Sequence, residues 1–204
     1  MVKKQKDAGT QQRILEAARK VFLEKGMAGA RMQDIADEAG INKALLHYYF
    51  TSKDMLFEQI FANTSQTFVP HINEIIESDM PLFEKIEHIC DDYISMLIKN
   101  PYMPLFLINE INKQDGDFLK RMWGKQKANL SFFVAQIQKE VKKGTIKPIH
   151  PAQLYMNIMS MCVFPFLGKP MMQFMTKVTD KEFVQLMEER KTFVARFVID
   201  SIRK

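Results

Sequence analysis

Cysteine is nearly absent: Cys90 and Cys162 are the only two in 204 residues, and each lies inside an apolar run. A disulfide framework is thereby excluded. Two buried free thiols suit a reducing cytosol better than a bridge or a redox switch does. Glycine and proline are scarce, eight of each, which disfavours turn-rich all-β designs and leans the chain towards helix. Long hydrophobic runs are missing too. The most apolar stretch, "LYMNIMSMCVFPFL" over 154–167, falls short of the roughly 20 residues a membrane span needs, and Gln153 and Asn157 spoil it further. The amino terminus is polar and lacks the apolar core of a signal peptide. The expectation is a cytoplasmic protein with no membrane partner.

Catalytic signatures are also lacking. There is no nucleophile elbow, no phosphate-binding glycine loop and no paired-carboxylate arrangement, so no enzyme is expected. His88, Cys90, Asp91 and Asp92 cluster at metal-compatible spacing. They read better as a polar helix face with a buried thiol. His71 and His150 sit beside prolines and read as loop or helix-end residues. No metal or cofactor is expected.

What the chain does have is a 47% hydrophobic content, enough for a packed core and against wholesale disorder. Basic residues outnumber acidic ones by 29 to 24, a formal +5. Most of that excess is assigned to the early part, where ten basic and seven acidic residues precede position 56 and Lys3, Lys4 and Lys6 form a basic arm. The imbalance points mildly to a polyanion partner.

Apolar periodicity is helical almost throughout. A first helix is predicted over Thr10–Lys25, with Thr10 as N-cap, an apolar face of Ile14, Ala18, Val21 and Phe22, and Gly26 closing it. A short helix over 33–39 stops at Gly40, and Asn42 caps another over 43–49. Thr51 or Ser52 starts a fourth at Lys53 that runs into the seventies, broken or kinked by Pro70. Further helices are predicted over 81–99 (central and buried), 102–113, 116–143 ended by Gly144, and 151–167 disturbed by Pro165. "GKP" at 168–170 interrupts the chain. "TDKE" from Thr179 reads as a capping box opening the last helix. The fold class is all-α: a three-helix head over 1–52 and a larger helical domain over 53–204, bridged by the fourth helix.

Two helices of seven or eight residues around a tight turn at Gly40 make a helix-turn-helix. Such short helices must pack on the first through Ile35, Ala36, Ala39, Ile41, Leu46 and Phe50. Lys43, Leu45, His47 and Tyr48 then face outward. Tyrosine hydroxyls and lysines donate to phosphate oxygens, and short apolar groups meet thymine methyls. The segment mixes aromatics and cations because it has a core side and a nucleic-acid side.

Residues 26–56, "GMAGARMQDIADEAGINKALLHYYFTSKDML", resemble the DNA-binding signature of the TetR/AcrR family of transcriptional regulators. The shared features are Gly26, Ile35-Ala36, Ala39-Gly40, Tyr48-Tyr49-Phe50 and Ser52-Lys53 in order and spacing; the remaining 150 or so residues match only in length and helical plan. The resemblance implies that Arg31, Gln33, Asn42, Lys43, Ala44, Leu45, His47, Tyr48, Tyr49 and Lys53 form the DNA surface. Lys43 would approach base edges or phosphate, and His47 and Tyr48 the backbone. Lys53, with the amides of the fourth helix, would hold a further phosphate. Three positions depart from the family pattern. Arg31 stands where Thr or Ser usually caps the second helix, so it either reaches a phosphate or leaves that cap weaker. His47 replaces a tyrosine. Leu45 replaces a small or polar residue, which predicts a thymine preference opposite it.

The resemblance further implies a homodimer on a palindromic operator and an apolar effector pocket in the larger domain. Phe61, Met96, Phe106, Met122, Trp123, Phe133 and Met159 are the expected pocket residues, and fifteen methionines and sixteen phenylalanines suit an adaptable apolar site. Met156, Phe164, Phe183, Met187, Val194 and Phe197 are the expected dimer contacts. The function implied is a ligand-released repressor; an activator, or a helical module binding another partner, is the alternative.

Overall fold

The computed structural model describes residues 2–112 and 129–204. The described residues form ten helices: α1 (Val2–Gly29), α2 (Met32–Glu38), α3 (Lys43–Tyr49), α4 (Lys53–Glu77), α5 (Leu82–Lys99), α6 (Met103–Asn112), α7 (Leu130–Lys143), α8 (Pro151–Leu167), α9 (Lys169–Thr176) and α10 (Asp180–Ile202). The only β-type pairing among them is an isolated antiparallel bridge between Ile146 and Arg203. The described residues divide into two compact units, 2–66 with 106–112, and 67–105 with 129–204. The division falls inside α4, where Pro70 cannot donate to the carbonyl of Gln66. The proline does not break the helix.

In the first unit, α1 contributes Ile14, Leu15, Ala18, Val21 and Phe22 to the interior, α2 contributes Ile35 and Ala36, α3 contributes Leu46, and α4 contributes Leu56, Phe57, Ile60 and Phe61. Phe57 packs against Phe22 at 5.4 Å and Phe106 at 4.3 Å between ring centroids. Lys20–Glu38 (2.8 Å) and Lys25–Asp34 (2.9 Å) tie α1 to α2 across the surface.

The start of α1 corrects the expectation at Thr10. The helix begins at Val2, because Gly9 is the only breaker upstream and a single glycine costs only about 1 kcal/mol inside a helix. Its end follows the sequence. Gly26 sits at φ 69°, ψ 168°, which interrupts the helix. That region of backbone space is nearly closed to residues with a Cβ. Gly26→Ala is therefore expected to lower the melting transition by a strain of about 1–3 kcal/mol, measured by thermal denaturation.

In the second unit one continuous core joins Ile72, Ile75 and Ile76 of α4, Leu82, Ile86, Ile89, Cys90, Ile94 and Leu97 of α5, Phe133 and Ile137 of α7, Leu154, Ile158, Cys162 and Phe166 of α8, and seven side chains of α10. The central position expected for the 81–99 helix is observed, and α10 is its main neighbour. Lys85 is buried at 3% exposure and its Nζ donates to Ile76 O at 2.7 Å, capping the last turn of α4. Loss of water pushes its pKa down, and Asp79 pulls partly back.

Two expectations in this unit are corrected. The helix predicted over 116–143 is not continuous: Asn129 is non-helical (φ −87°, ψ 76°) and α7 starts after it at Leu130, while the part of the prediction over 116–128 lies outside the described residues. Its amide donates to Asn73 Oδ1 at 2.8 Å and its side chain to Glu77 Oε1 at 3.0 Å, bonds that the sequence alone does not reveal. "GKP" is not merely an interruption. It opens α9, since proline suits the first turn of a helix, where no N–H is needed. Gly144 and the Thr179–Glu182 capping box stand where predicted.

Both cysteines are free and buried. A hydrogen bond with Cys162, then burial, pushes the Cys90 thiol far above its ordinary value, so it is a poor nucleophile. Asp92 pairs with His71 at 3.0 Å, and Cys90 points into the core. Among the described residues no three metal-binding side chains converge, and no helix is long and apolar enough to cross a membrane.

Candidate nucleic-acid interface

The helix-turn-helix is built by local hydrogen bonds. Ala39 ends α2, and Gly40, at φ 63°, turns the chain. Ile41 N donates back to Ala36 O at 3.0 Å. Asn42 is extended and its Oδ1 accepts from Leu45 N at 2.7 Å, capping α3 as predicted. Leu46 N and Phe50 N carry the α3 ladder back to Asn42 O and Leu46 O at 3.1 and 2.8 Å.

This short helix has one buried side, Leu46, with Phe50 closing it at the C-cap. Asn42, Lys43, Ala44, Leu45 and His47 are exposed, and Tyr48 stands out at 78% exposure. Tyr49 is half-buried and meets Tyr48 edge to face at 5.3 Å. The open side thus presents an ammonium, an imidazole, a phenol and two small apolar surfaces. These are donors for phosphate oxygens and contacts for thymine methyls.

The flanks are settled differently from a simple capped pair. Arg31 is the N-cap of α2, and its guanidinium has no acceptor to offer the helix amides. Asp34 supplies half of a capping box instead, its Oδ2 accepting from Arg31 N at 2.9 Å. The hydrogen bond from Lys25, then that from the Arg31 amide, holds the Asp34 carboxyl below its ordinary pKa. Arg31 stays exposed beside Gln33, whose amide donates to Asp37 at 2.7 Å. The role of Asp34 is not among the sequence expectations, although an acidic residue at the third helical position was the available signal. Ser52 caps α4, its hydroxyl accepting from Met55 N at 3.1 Å. Lys53 donates to the carbonyls of Met27 and Ala30. It fastens the end of α1 to α4, leaving one ammonium proton for a further acceptor.

The expected pocket residues separate. Phe61 and Phe106 are buried together in the first unit, centroids 6.3 Å apart. Met96, Phe133 and Met159 belong to the second, where Phe133 is core and Met96 packs against that core. Met122 and Trp123 lie outside the described residues.

The expected dimer contacts need correction. Met156, Phe164 and Phe197 are exposed at 51, 54 and 58%, but Phe183, Met187 and Val194 are buried in the chain's own core. α10 is apolar on two faces, and the one turned outward carries Leu186, Phe193 and Phe197. A helical repeat in sequence does not say which of two apolar stripes meets the interior.

Residues 14–60, from α1 to the first turns of α4, match the model of "Bacterial regulatory proteins, tetR family". The HTH-type transcriptional regulator RutR of Escherichia coli is 26% identical over 195 residues, covering 93% of this chain and 89% of its own. The HTH-type transcriptional repressor NicS of Pseudomonas putida is 33% identical over 97 residues, 46% of each chain. The solved structure of the transcriptional regulator FadR from Bacillus subtilis, in complex with stearoyl-CoA, aligns over 90% of this chain and 97% of its own, with a TM-score of 0.60 at 17% identity. That likeness is one of fold.

Proposed function

Because the chain belongs to the TetR family of bacterial regulatory proteins, and is therefore a helix-turn-helix transcriptional regulator, we propose that it is a repressor that binds a palindromic operator as a homodimer and is released by an apolar effector. The observation that carries the reading is the exposed side of α3: Lys43, Leu45, His47 and Tyr48 stand in solvent over a single buried anchor, Leu46. In this reading Arg31, Gln33, Asn42, Ala44, Tyr49 and Lys53 frame the same surface, with a head over 1–52 and an effector and dimer domain over 53–204. Repression is supported by relatives that are repressors, NicS among them. An apolar effector is supported by the acyl thioester bound to FadR and by the methionine and phenylalanine content of the helical domain. Release requires the effector to favour the state with misplaced heads by a coupling of about 1–3 kcal/mol or more.

Selection from random duplex DNA at fixed moderate salt tests the reading. The native protein is expected to recover an inverted repeat with half-sites about one helical turn apart or a multiple of it. Tyr48→Ala is expected to recover none, or to bind the motif about tenfold or more weakly. No enrichment by the native protein would overturn the assignment. Guanine or cytosine at every central half-site position would remove the predicted thymine contact of Leu45.

A further inference from the structure

The basic excess of this chain lies mainly in its last third, not in the early part where it was expected. Residues 129–204 hold twelve lysines and arginines against six acidic residues, more than the whole formal +5 of the protein. Six of those cations are gathered at one corner of the second unit by backbone pairing. Lys147 N donates to Ile202 O at 2.7 Å and Ile146 bridges Arg203, which brings the end of α7 against the end of α10. Lys139, Lys142, Lys143, Lys147, Arg203 and Lys204 are all exposed there. Lys204 Nζ reaches to within 3.6 Å of where a Cβ on Gly144 would stand. Only Glu140 and Asp200 lie among them in sequence, and Glu140 is held by Lys143 at 3.1 Å. Lys139 and Lys142 make no ion pair among the described residues and flank a surface cleft with Ala135, Gln138 and Lys143.

We propose that this corner is a second, sequence-independent contact for the phosphate backbone of duplex DNA, separate from the helix-turn-helix. Three features select that partner. The cations are mostly lysines on long stems at i, i+3 and i+4 of one helix, about 5–6 Å apart, a spacing that follows a row of phosphates without reading bases. No large hydrophobic residue is exposed between Lys139 and Lys147, so these lysines are not interleaved with the apolar anchors of a protein interface. The attraction is by charge density, so it grows as salt falls and counterions are released.

The test uses the full chain with the head silenced by Lys43→Ala and Tyr48→Ala, titrated by fluorescence anisotropy with a random-sequence 30-base-pair duplex across salt. Adding Lys139→Glu and Lys142→Glu, both at exposed positions, is expected to weaken binding about tenfold. It should also lower the slope of log affinity against log salt by about two, one for each phosphate no longer neutralised. The same charge change at Lys177→Glu and Lys181→Glu, on the loop before α10 and its first turn, is expected to leave slope and affinity nearly unchanged. Equal losses in both double variants, or none in the first, would overturn the proposal. So would polyglutamate of matched charge binding as tightly as the duplex, which would make the partner an acidic polypeptide.

Discussion

Leu46→Ala is expected to abolish operator binding while leaving most of the molecule folded. Leu46 is the only buried residue within α3 and is fully enclosed. Replacing a buried leucine with alanine costs about 2–5 kcal/mol through lost burial and the residual cavity. A seven-residue helix has no stability of its own to absorb that loss. The consequence is local: the surface of Lys43, Leu45, His47 and Tyr48 loses its fixed orientation, and the core of the second unit, to which Leu46 does not belong, is untouched. Affinity for the selected operator should fall by about a hundredfold or more, each tenfold being about 1.4 kcal/mol. Helix content by circular dichroism should fall only slightly. The neighbouring Leu45→Ala is the control. At 37% exposure it should change stability by less than about 0.5 kcal/mol and alter base preference instead. Unchanged operator affinity in Leu46→Ala would mean that α3 is not the reading element.

Phe193→Glu with Phe197→Glu is expected to convert the proposed dimer to a monomer. The two rings stack on the outer face of α10 at 6.4 Å, 19° apart in plane, and are 62 and 58% exposed. Covering each ring in a two-fold interface would contribute roughly 2–3 kcal/mol of apolar burial, and symmetry doubles the set. Glutamates there would instead face one another across the axis. Neither side chain is part of the monomer core, so the melting of the monomer should be little changed. Sedimentation or light scattering would read the mass. Operator affinity should drop about a hundredfold or more, because one head then reads one half-site. A variant that stays dimeric would place the interface on another face of the chain.

Much of the head is legible because its determinants are local. Gly26 and Gly40 take backbone angles that only glycine adopts freely, Asn42 caps with its own side chain, and Leu46 and Phe50 recur four residues apart on one side of a helix. Thr10 misleads for the complementary reason: a residue suited to a cap is also tolerated inside a helix, and the single glycine upstream, Gly9, is too weak a breaker to stop it. The second unit is less legible. Asn129 interrupts a helical pattern because Asn73 and Glu77 of α4 hold it, partners more than fifty residues away.

The sequence by itself determined the all-α class, most helix ends, the helix-turn-helix and the outward set on α3, because caps, turns and amphipathic spacing act within a few residues. Tertiary structure alone decided three matters. It chose which stripe of α10 is core, burying Phe183, Met187 and Val194 while leaving Phe193 and Phe197 open. It engaged Lys53 on the carbonyls of Met27 and Ala30. It brought the cations of α7 beside those that follow α10. Each of these depends on where distant segments of chain meet, and spacing along one helix carries no information about its neighbours.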